Sequence, residues 1–442
     1  MTLRAFARRF VGDYGMVFVL LLLCGLFSLI TITDHSPVGE AAAEQVAADL
    51  EALFGKSSRV LIAAGDQPED AAFAEKLERD LSASGAQVLS VALGEPRLAR
   101  EALQKIAASG GKLDAILSTQ AAGSWLVFAE LKEDFPALGE PRMFTPRTYR
   151  WPTFLSAANL LNIANQIAII AIIAIGMTMV IVTGGIDLSV GSLIALSAVL
   201  TARFIRDGFG GVQASALGMV LASLAAIVAC GSVGAFSGFM ITCFRLPPFI
   251  VTLAVMFVGS GLANKLADGQ TIYQLPDSFV WLGRGAHLFS LPNAVVLMFM
   301  LYVLGHILMS RMTMGRYLYA VGGNSEASRL SGVPVRRVLL FAYVGSAMLA
   351  GLGGVLMASL LKSGAGTFGN MYELYVIAAV VVGGTSLSGG KGTMFGTLIG
   401  ALTIAVIQNG MNLKNVEAFE QKIVLGLVLL SAVLLDKLRR RR

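Results

Sequence analysis

The sequence predicts an all-α polytopic membrane protein of about ten transmembrane helices, with a soluble α/β domain inserted near its start. Three observations carry this reading. First, 55% of the 442 residues are hydrophobic and only 14% are charged, where a soluble domain carries about 25% charged residues. With a mean hydropathy of +0.72, lipid must cover part of the surface. Second, a lone carboxylate, Asp187, stands between two uncharged runs, Leu160–Val182 and Leu188–Ala202. A carboxylate near membrane depth costs at least about 2.5 kcal/mol unless it is paired or hydrated, so something polar is built into the span. Third, the charge is split: residues 34–150 hold 18 Asp/Glu and 12 Lys/Arg, leaving 10 acids and 22 bases for the remainder. That basic excess sits at segment ends, which is a topology signal and not a nucleic-acid signal.

Residues 1–33 read as a short cytoplasmic segment and a first transmembrane helix. Arg4, Arg8 and Arg9 precede an uncharged run from Met16 to Thr33. Its length favours a retained signal-anchor over a cleaved signal peptide, although Ala41–Ala43 offers small residues for cleavage. Residues 34–150 form the insert, its folded part about 45–147. Arg59–Ala64, Gln87–Ala92 and Leu113–Ser118 are short apolar strands. Helical spacing follows at Glu69–Ser84, at Arg97–Ala108 and through Lys132, with a further strand at Arg142–Thr145. This alternation predicts a parallel doubly wound sheet. Tyr149 and Trp151 then mark re-entry at the membrane interface.

Residues 151–442 form the membrane domain. After the first span, at about 16–33, spans are read at about 157–182, 189–206, 214–240, 249–266, 292–310, 338–360, 373–387, 393–411 and 420–436. The positive-inside rule tests this count. With both termini cytoplasmic, Lys437 and Arg439 to Arg442 face inward, as does Arg245. So does the loop 311–337, which holds Arg311, Arg316, Arg329, Arg336 and Arg337 against one acid, Glu326.

No soluble catalytic constellation is visible. His35, His287 and His306 lie far apart, and His306 reads as a hydrogen-bonded core residue. Cys24, Cys230 and Cys243 lie in apolar segments without metal-ligand spacing. Gly389-Gly390-Lys391-Gly392-Thr393 is not a P-loop: Thr385 and Gly392 stand where that motif needs Gly and Ser/Thr. A tight turn fits better, and no cofactor is expected in this chain. Two readings of Asp187, in Gly184-Gly185-Ile186-Asp187-Leu188-Ser189, stand together: it lines a permeation path or holds a broken helix, or it caps the next span. Residues 325–330 suit a short cytoplasmic helix ended by Gly332 and Pro334, with Glu326 and Arg329 exposed to dock a soluble partner. The bland alternative is a basic loop that fixes topology.

At these residues the chain resembles the permease subunits of monosaccharide ABC importers, the ribose, xylose, arabinose and galactose group. The motifs are GGIDLSVGS at 184–192, GGNSEASRLSGV at 322–333, and Tyr372-Glu373-Leu374 followed by IAAVVVGGTSLSGGKGT at 377–393. The match continues through 395–413 and covers about 155–436. The resemblance implies a bacterial inner (plasma) membrane protein with a periplasmic insert, and no enzyme activity of its own. Two permease subunits, expected to be a homodimer, enclose the path. A separate cytoplasmic ABC ATPase binds ATP and Mg, and a periplasmic sugar-binding protein delivers a monosaccharide-like substrate. Lipid surrounds the machine, and nucleic acid plays no part. Asn324, Glu326, Ala327, Arg329 and Gly332 fall on the coupling helix that contacts the ATPase. Gly184, Gly185, Asp187, Ser189 and Glu373 fall on the family signature and possible path.

Two departures matter. Tyr375 stands where the family often has Asp, and the insert replaces a short loop. The insert is similar to half of a sugar-binding protein, with Gln120 near the position of that family's ligand-contacting Asn-Asp pair. A single lobe cannot close around a sugar, so the insert is expected not to bind sugar tightly by itself. Docking or gating for the delivery protein, or spacing, are its expected roles. The rival functional readings are a cation-coupled secondary transporter with Asp187 as the ion site, and a membrane sensor with an external receptor domain.

Overall fold

The computed structural model describes residues 3–55, 58–288 and 291–440; the side chains of 3–14, 435–436 and 438–440 lie outside that description. The side chains of Arg4, Arg8, Arg9 and Arg439 to Arg442, used in the charge argument, therefore lie outside the described residues. The chain divides into two compact units. One comprises Met1–Thr31 and Thr153–Arg442, and the other Ile32–Pro152.

Helix α1 runs Leu3–Ile30. It stops short of the expected Thr33, because Ile32–His35 is instead a strand, β1. The smaller unit continues through α2 (Gly39–Phe54), β2 (Arg59–Ala64), α3 (Pro68–Ser84), β3 (Gln87–Leu93), α4 (Pro96–Ala108) and β4 (Ala115–Ser118). Three one-turn helices come next: α5 (Gln120–Gly123), α6 (Leu126–Ala129) and α7 (Leu131–Asp134). They replace the single helix expected through Lys132, and the 16-residue α2 was not read from sequence. Strands β5 (Arg142–Phe144) and β6 (Tyr149–Pro152) end the unit.

The sheet is parallel, in the order β3-β2-β4-β5. Its central strand β2 is buried on both faces, as the uninterrupted run RVLIAA requires. Val60, Ile62 and Ala64 pack with Phe73 and Leu77 on one face. Leu61 and Ala63 pack with Leu103 and Val127 on the other, following the two-residue period of a strand. β1 and β6 form a separate antiparallel ribbon, so Tyr149 and Trp151 are strand residues here.

The larger unit is helical: α8 (Ala157–Val182), α9 (Val190–Arg203), α10 (Ala216–Cys243), α11 (Pro248–Leu266), α12 (Trp281–Arg284), α13 (Asn293–Arg311), α14 (Thr313–Gly323), α15 (Ser325–Leu330), α16 (Val335–Leu361), α17 (Tyr372–Val382), α18 (Met394–Leu413) and α19 (Ala418–Arg440). Among the described residues six helices are long and apolar enough to cross a membrane: α8, α10, α11, α13, α16 and α18. Gly15–Ile30 and α17 are shorter apolar helices.

Helix α8 is the axis. Every residue from Ile167 to Thr183 is buried, the fate of a helix that is apolar all round. It is held by polar pairs that cost little inside the bundle because each is satisfied. Asn159 and Asn409 exchange amide hydrogen bonds at 3.0 and 2.8 Å, and the Thr178 and Thr397 hydroxyls meet at 2.7 Å. Hydroxyl caps start the helices where the sequence places them. Ser156 accepts from Asn159 N–H, Ser215 from Gly218 N–H, and Thr393 from Gly396 N–H. His306 lies exposed on α13 and not in the core. An apolar run on a lipid-side helix exposes part of its circumference, and sequence alone does not say which part.

Candidate functional site

The chain turns sharply after α8. Gly184 N–H bonds Ile181 O and Gly185 N–H bonds Val180 O. Gly184 takes φ +82°, the left-handed region that favours glycine. The next stretch folds back along α8 and does not leave the bundle: Gly185 abuts Val180 and the Tyr343 hydroxyl. Asp187 lies in this stretch and is 2% exposed. One carboxylate oxygen accepts from Ser189 N–H at 3.0 Å and Ser189 Oγ at 2.6 Å; the other accepts from Ser346 Oγ at 2.8 Å.

The N-cap of α9 is therefore Ser189, and Asp187 closes an Asx-turn just before it. The carboxylate also reaches across to α16, so both turn and helix are tied by one side chain. It opens onto no surface in this conformation. Ser346 packs on Gly176, where a Cβ would lie 2.6 Å from the Ser346 Cα. Gly176 is six residues before the end of α8, so Asp187 lies roughly 9 Å inside that end at 1.5 Å per residue. Tyr343 and Ser346 escaped the sequence reading. Both sit one turn apart in an apolar helix, where a hydroxyl gives no local signal.

Glu373 meets this turn from another direction. After α16 the chain does not form a helix at once. Gly364 packs on Ala198 and Ala202 of α9, and Gly369 on Gly191 and Ile194. An irregular strip, 363–371, thus runs along α9 before α17 begins. The Glu373 carboxylate then rests against Gly191, in the first turn of α9, where any side chain would collide with it. Among the described residues no cation pairs with it. On the first turn of α17, Tyr372 and Tyr375 meet edge-on, with ring centroids 6.2 Å apart, and pack against the apolar core.

The third group builds the exposed loop. Asn324 caps α15: its side-chain oxygen accepts from Glu326 N–H at 3.1 Å and Ala327 N–H at 2.9 Å. Glu326 and Arg329 pair on the exposed face. The hydrogen bond and charge of Arg329 hold the Glu326 carboxyl below its usual range. Gly332 takes φ +82° and ends the helix. Before α15, the glycine turns at Gly184 and Gly389–Gly390 interlock with the end of α14. Gly390 N–H bonds Val182 O at 2.8 Å. Gly322 packs so closely on Val182 O and Gly390 N that no Cβ fits. Gly389 lies between Gly322 and Gly184, and Tyr319 of α14 donates to Gly392 O at 2.7 Å.

The structure thus brings Gly184, Gly185, Asp187, Ser189 and Glu373 around one pair of broken helices. Asn324, Glu326, Ala327, Arg329 and Gly332 share a separate exposed loop. The backbone knot at Gly322 and Gly389–Gly390 joins the two groups. The GGKGT segment is a tight turn, docked on this knot. Gln120 is exposed at the carboxyl end of β4, where α5 begins.

Residues 159–433 match a family model described as the permease component of branched-chain amino acid transport systems. The ribose import permease protein of Bacillus subtilis (strain 168) is 43% identical over 288 residues, 65% of this chain and 87% of that protein. The L-arabinose transport system permease protein of Escherichia coli (strain K12) is 36% identical over 295 residues, 66% of this chain and 86% of its own. The D-allose permease protein of the same strain is 33% identical over 285 residues, 64% and 85% respectively. No solved structure matches. The chain belongs to the family of permease components described for branched-chain amino acid transport systems, the membrane subunits of ABC importers.

Proposed function

We propose that this chain forms the translocation path of an ATP-driven importer for a monosaccharide or a related small polar solute. It crosses the inner membrane about ten times, with both termini in the cytoplasm and residues 34–150 in the periplasm. Two copies pair around the path. A cytoplasmic ATPase, which binds ATP and Mg, grips α15 through Asn324, Glu326, Ala327, Arg329 and Gly332. A periplasmic sugar-binding protein delivers the solute, and the insert acts as a docking or gating module for it.

The observation that supports this best is the interlocked backbone before α15. An ATPase shifts a permease between states only by binding them unequally, so its purchase must reach the core. Gly322 lies directly on the end of α8, and Gly389–Gly390 carries that contact to the turn after α17. A push on α15 is therefore received by the two broken helices that hold Asp187 and Glu373. The ribose, allose and arabinose permeases among the relatives support the solute class.

The test is reconstitution in liposomes with the co-purifying ATPase and binding protein. ATP-dependent uptake of ribose, unaffected by an uncoupler, is expected. Accumulation by the chain alone along an ion gradient would instead establish a secondary transporter.

A further inference from the structure

Residues 363–371 pose a problem that lipid cannot solve. Irregular backbone is tolerated at membrane depth only against protein or water. Yet Thr367 and Asn370 of this strip are exposed, Glu373 is half-exposed, and Leu374 beyond it is exposed. Asn264 of α11, which packs on Gly366, is exposed beside them.

The depth of this patch is set by α17. That helix has 11 residues, roughly 16 Å at 1.5 Å per residue. It ends at the turn whose Gly390 bonds the last carbonyl of α8. Its start therefore lies near the middle of a hydrocarbon core about 30 Å thick. The first turn of α9 lies at the same level, against Glu373. Two broken helices thus begin at one waist, with a carboxylate between their ends.

We infer that Glu373 is the substrate-contacting carboxylate at the waist of the path, selective for an uncharged polyhydroxylated ring. The inference rests on the importer reading above. A carboxylate accepts hydrogen bonds from two neighbouring hydroxyls and repels anions. Glu373 has its backing on one side only, where Gly191 leaves room for it. The strip just before it exposes Thr367 and Asn370, and that part must face the path for them to stay hydrated.

The alternative is a structural role, in which Glu373 only offsets the dipole at the start of α9. The two roles separate in the complete importer, with ribose as probe. Uptake and ATP hydrolysis stimulated by the loaded binding protein are measured on the same vesicles. Glu373→Gln is expected to lower ribose moved per ATP about tenfold, the worth of one charge-assisted hydrogen bond, and to leave stimulated hydrolysis and thermal stability near wild type. Glu373→Asp is expected to recover part of the loss.

An unchanged ratio, or a parallel fall of uptake, hydrolysis and stability, overturns the inference in favour of the structural role. Should Glu373→Gln fail to fold, Asn370→Ala, at an exposed position of the strip, decides. The same fall in ribose per ATP supports the waist, and an unchanged ratio removes it. Absence of ATP-driven uptake by the wild-type importer is a different result, which defeats the importer reading itself.

Discussion

The chain leaves α8 and α17 by the same backbone route. Gly384 N–H bonds Val381 O and Thr385 N–H bonds Val380 O, matching residue for residue the bonds made by Gly184 and Gly185. Gly384 takes φ +89° and Gly184 +82°, a left-handed stop that satisfies the last helix carbonyls. Beyond the two stops the fastenings differ. After Gly184 a side chain does it: Asp187 binds its own turn and α16. After Gly384 backbone does it: Gly389 and Gly390 lie on Gly322 and Gly323, and the Gly392 carbonyl accepts from Tyr319. One turn is thus fixed to the core. The other is fixed to the segment that carries α15 and, through Gly390 N–H on Val182 O, to the end of α8. Under the importer reading proposed above, a push on α15 reaches the second turn first.

The sharpest way to break this contrast is at the knot. Gly322 and Gly323 are adjacent, yet a Cβ at Gly322 strikes Val182 O and Gly390, whereas at Gly323 nothing lies within 4 Å. Gly322→Ala must push the segment off α8, an overpacking cost of about 1–3 kcal/mol. ATP-driven uptake in reconstituted vesicles is expected to fall at least tenfold, with Gly323→Ala close to wild type. Equal behaviour of the two variants would remove the knot from the coupling route.

The side-chain turn should answer differently, in stability. Asp187→Ala strands the buried Ser189 N–H and the Ser189 and Ser346 hydroxyls, at about 1–3 kcal/mol for each donor left unpaired. Thermal unfolding in detergent is expected to show a clear drop. Asp187→Asn, which keeps an acceptor for part of this set, is expected to be milder. An Asp187→Ala protein as stable as wild type would mean that the turn is held by its glycines alone.

This contrast was only half legible in the sequence. Asp187 was visible because a charge between uncharged runs needs a reason, and α8 because its run from Leu160 to Val182 carries no charge. Strand β2 was readable from RVLIAA to the residue. The partner of Asp187 across the bundle was not, since Ser346 lies 159 positions away and carries no periodic signal. The half-length of α17 was hidden too. Apolar residues run on from Val376 to Val382 and resume at Met394, so composition suggested a span out to 387, whereas the helix ends at Val382. The knot was invisible for a further reason: glycines show where a close approach is allowed, not what approaches.

The smallest effect sharpens the side that carries α15. Glu326 and Arg329 pair on the outer face of α15, fully in reach of water, and such a pair adds little to stability because solvent and salt screen it. Under the coupling reading proposed above its value is geometric, holding a carboxylate and a guanidinium at a fixed spacing for the ATPase. The hydrogen bond from Arg329, followed by its charge, depresses the Glu326 carboxyl. The contribution of a depressed acid is fully present above its unfolded pKa, about 4.3 for glutamate. It is lost only as pH falls through the lower, folded value. ATPase association, measured by co-sedimentation with vesicles, should therefore be flat near neutrality and weaken only below the ordinary glutamate range. Glu326→Lys places two cations side by side and is expected to lower uptake several-fold while leaving the unfolding midpoint within a degree or two, since the site is exposed. A midpoint that fell with uptake would mean that α15 is part of the folding core, and the division between the two turns would no longer hold.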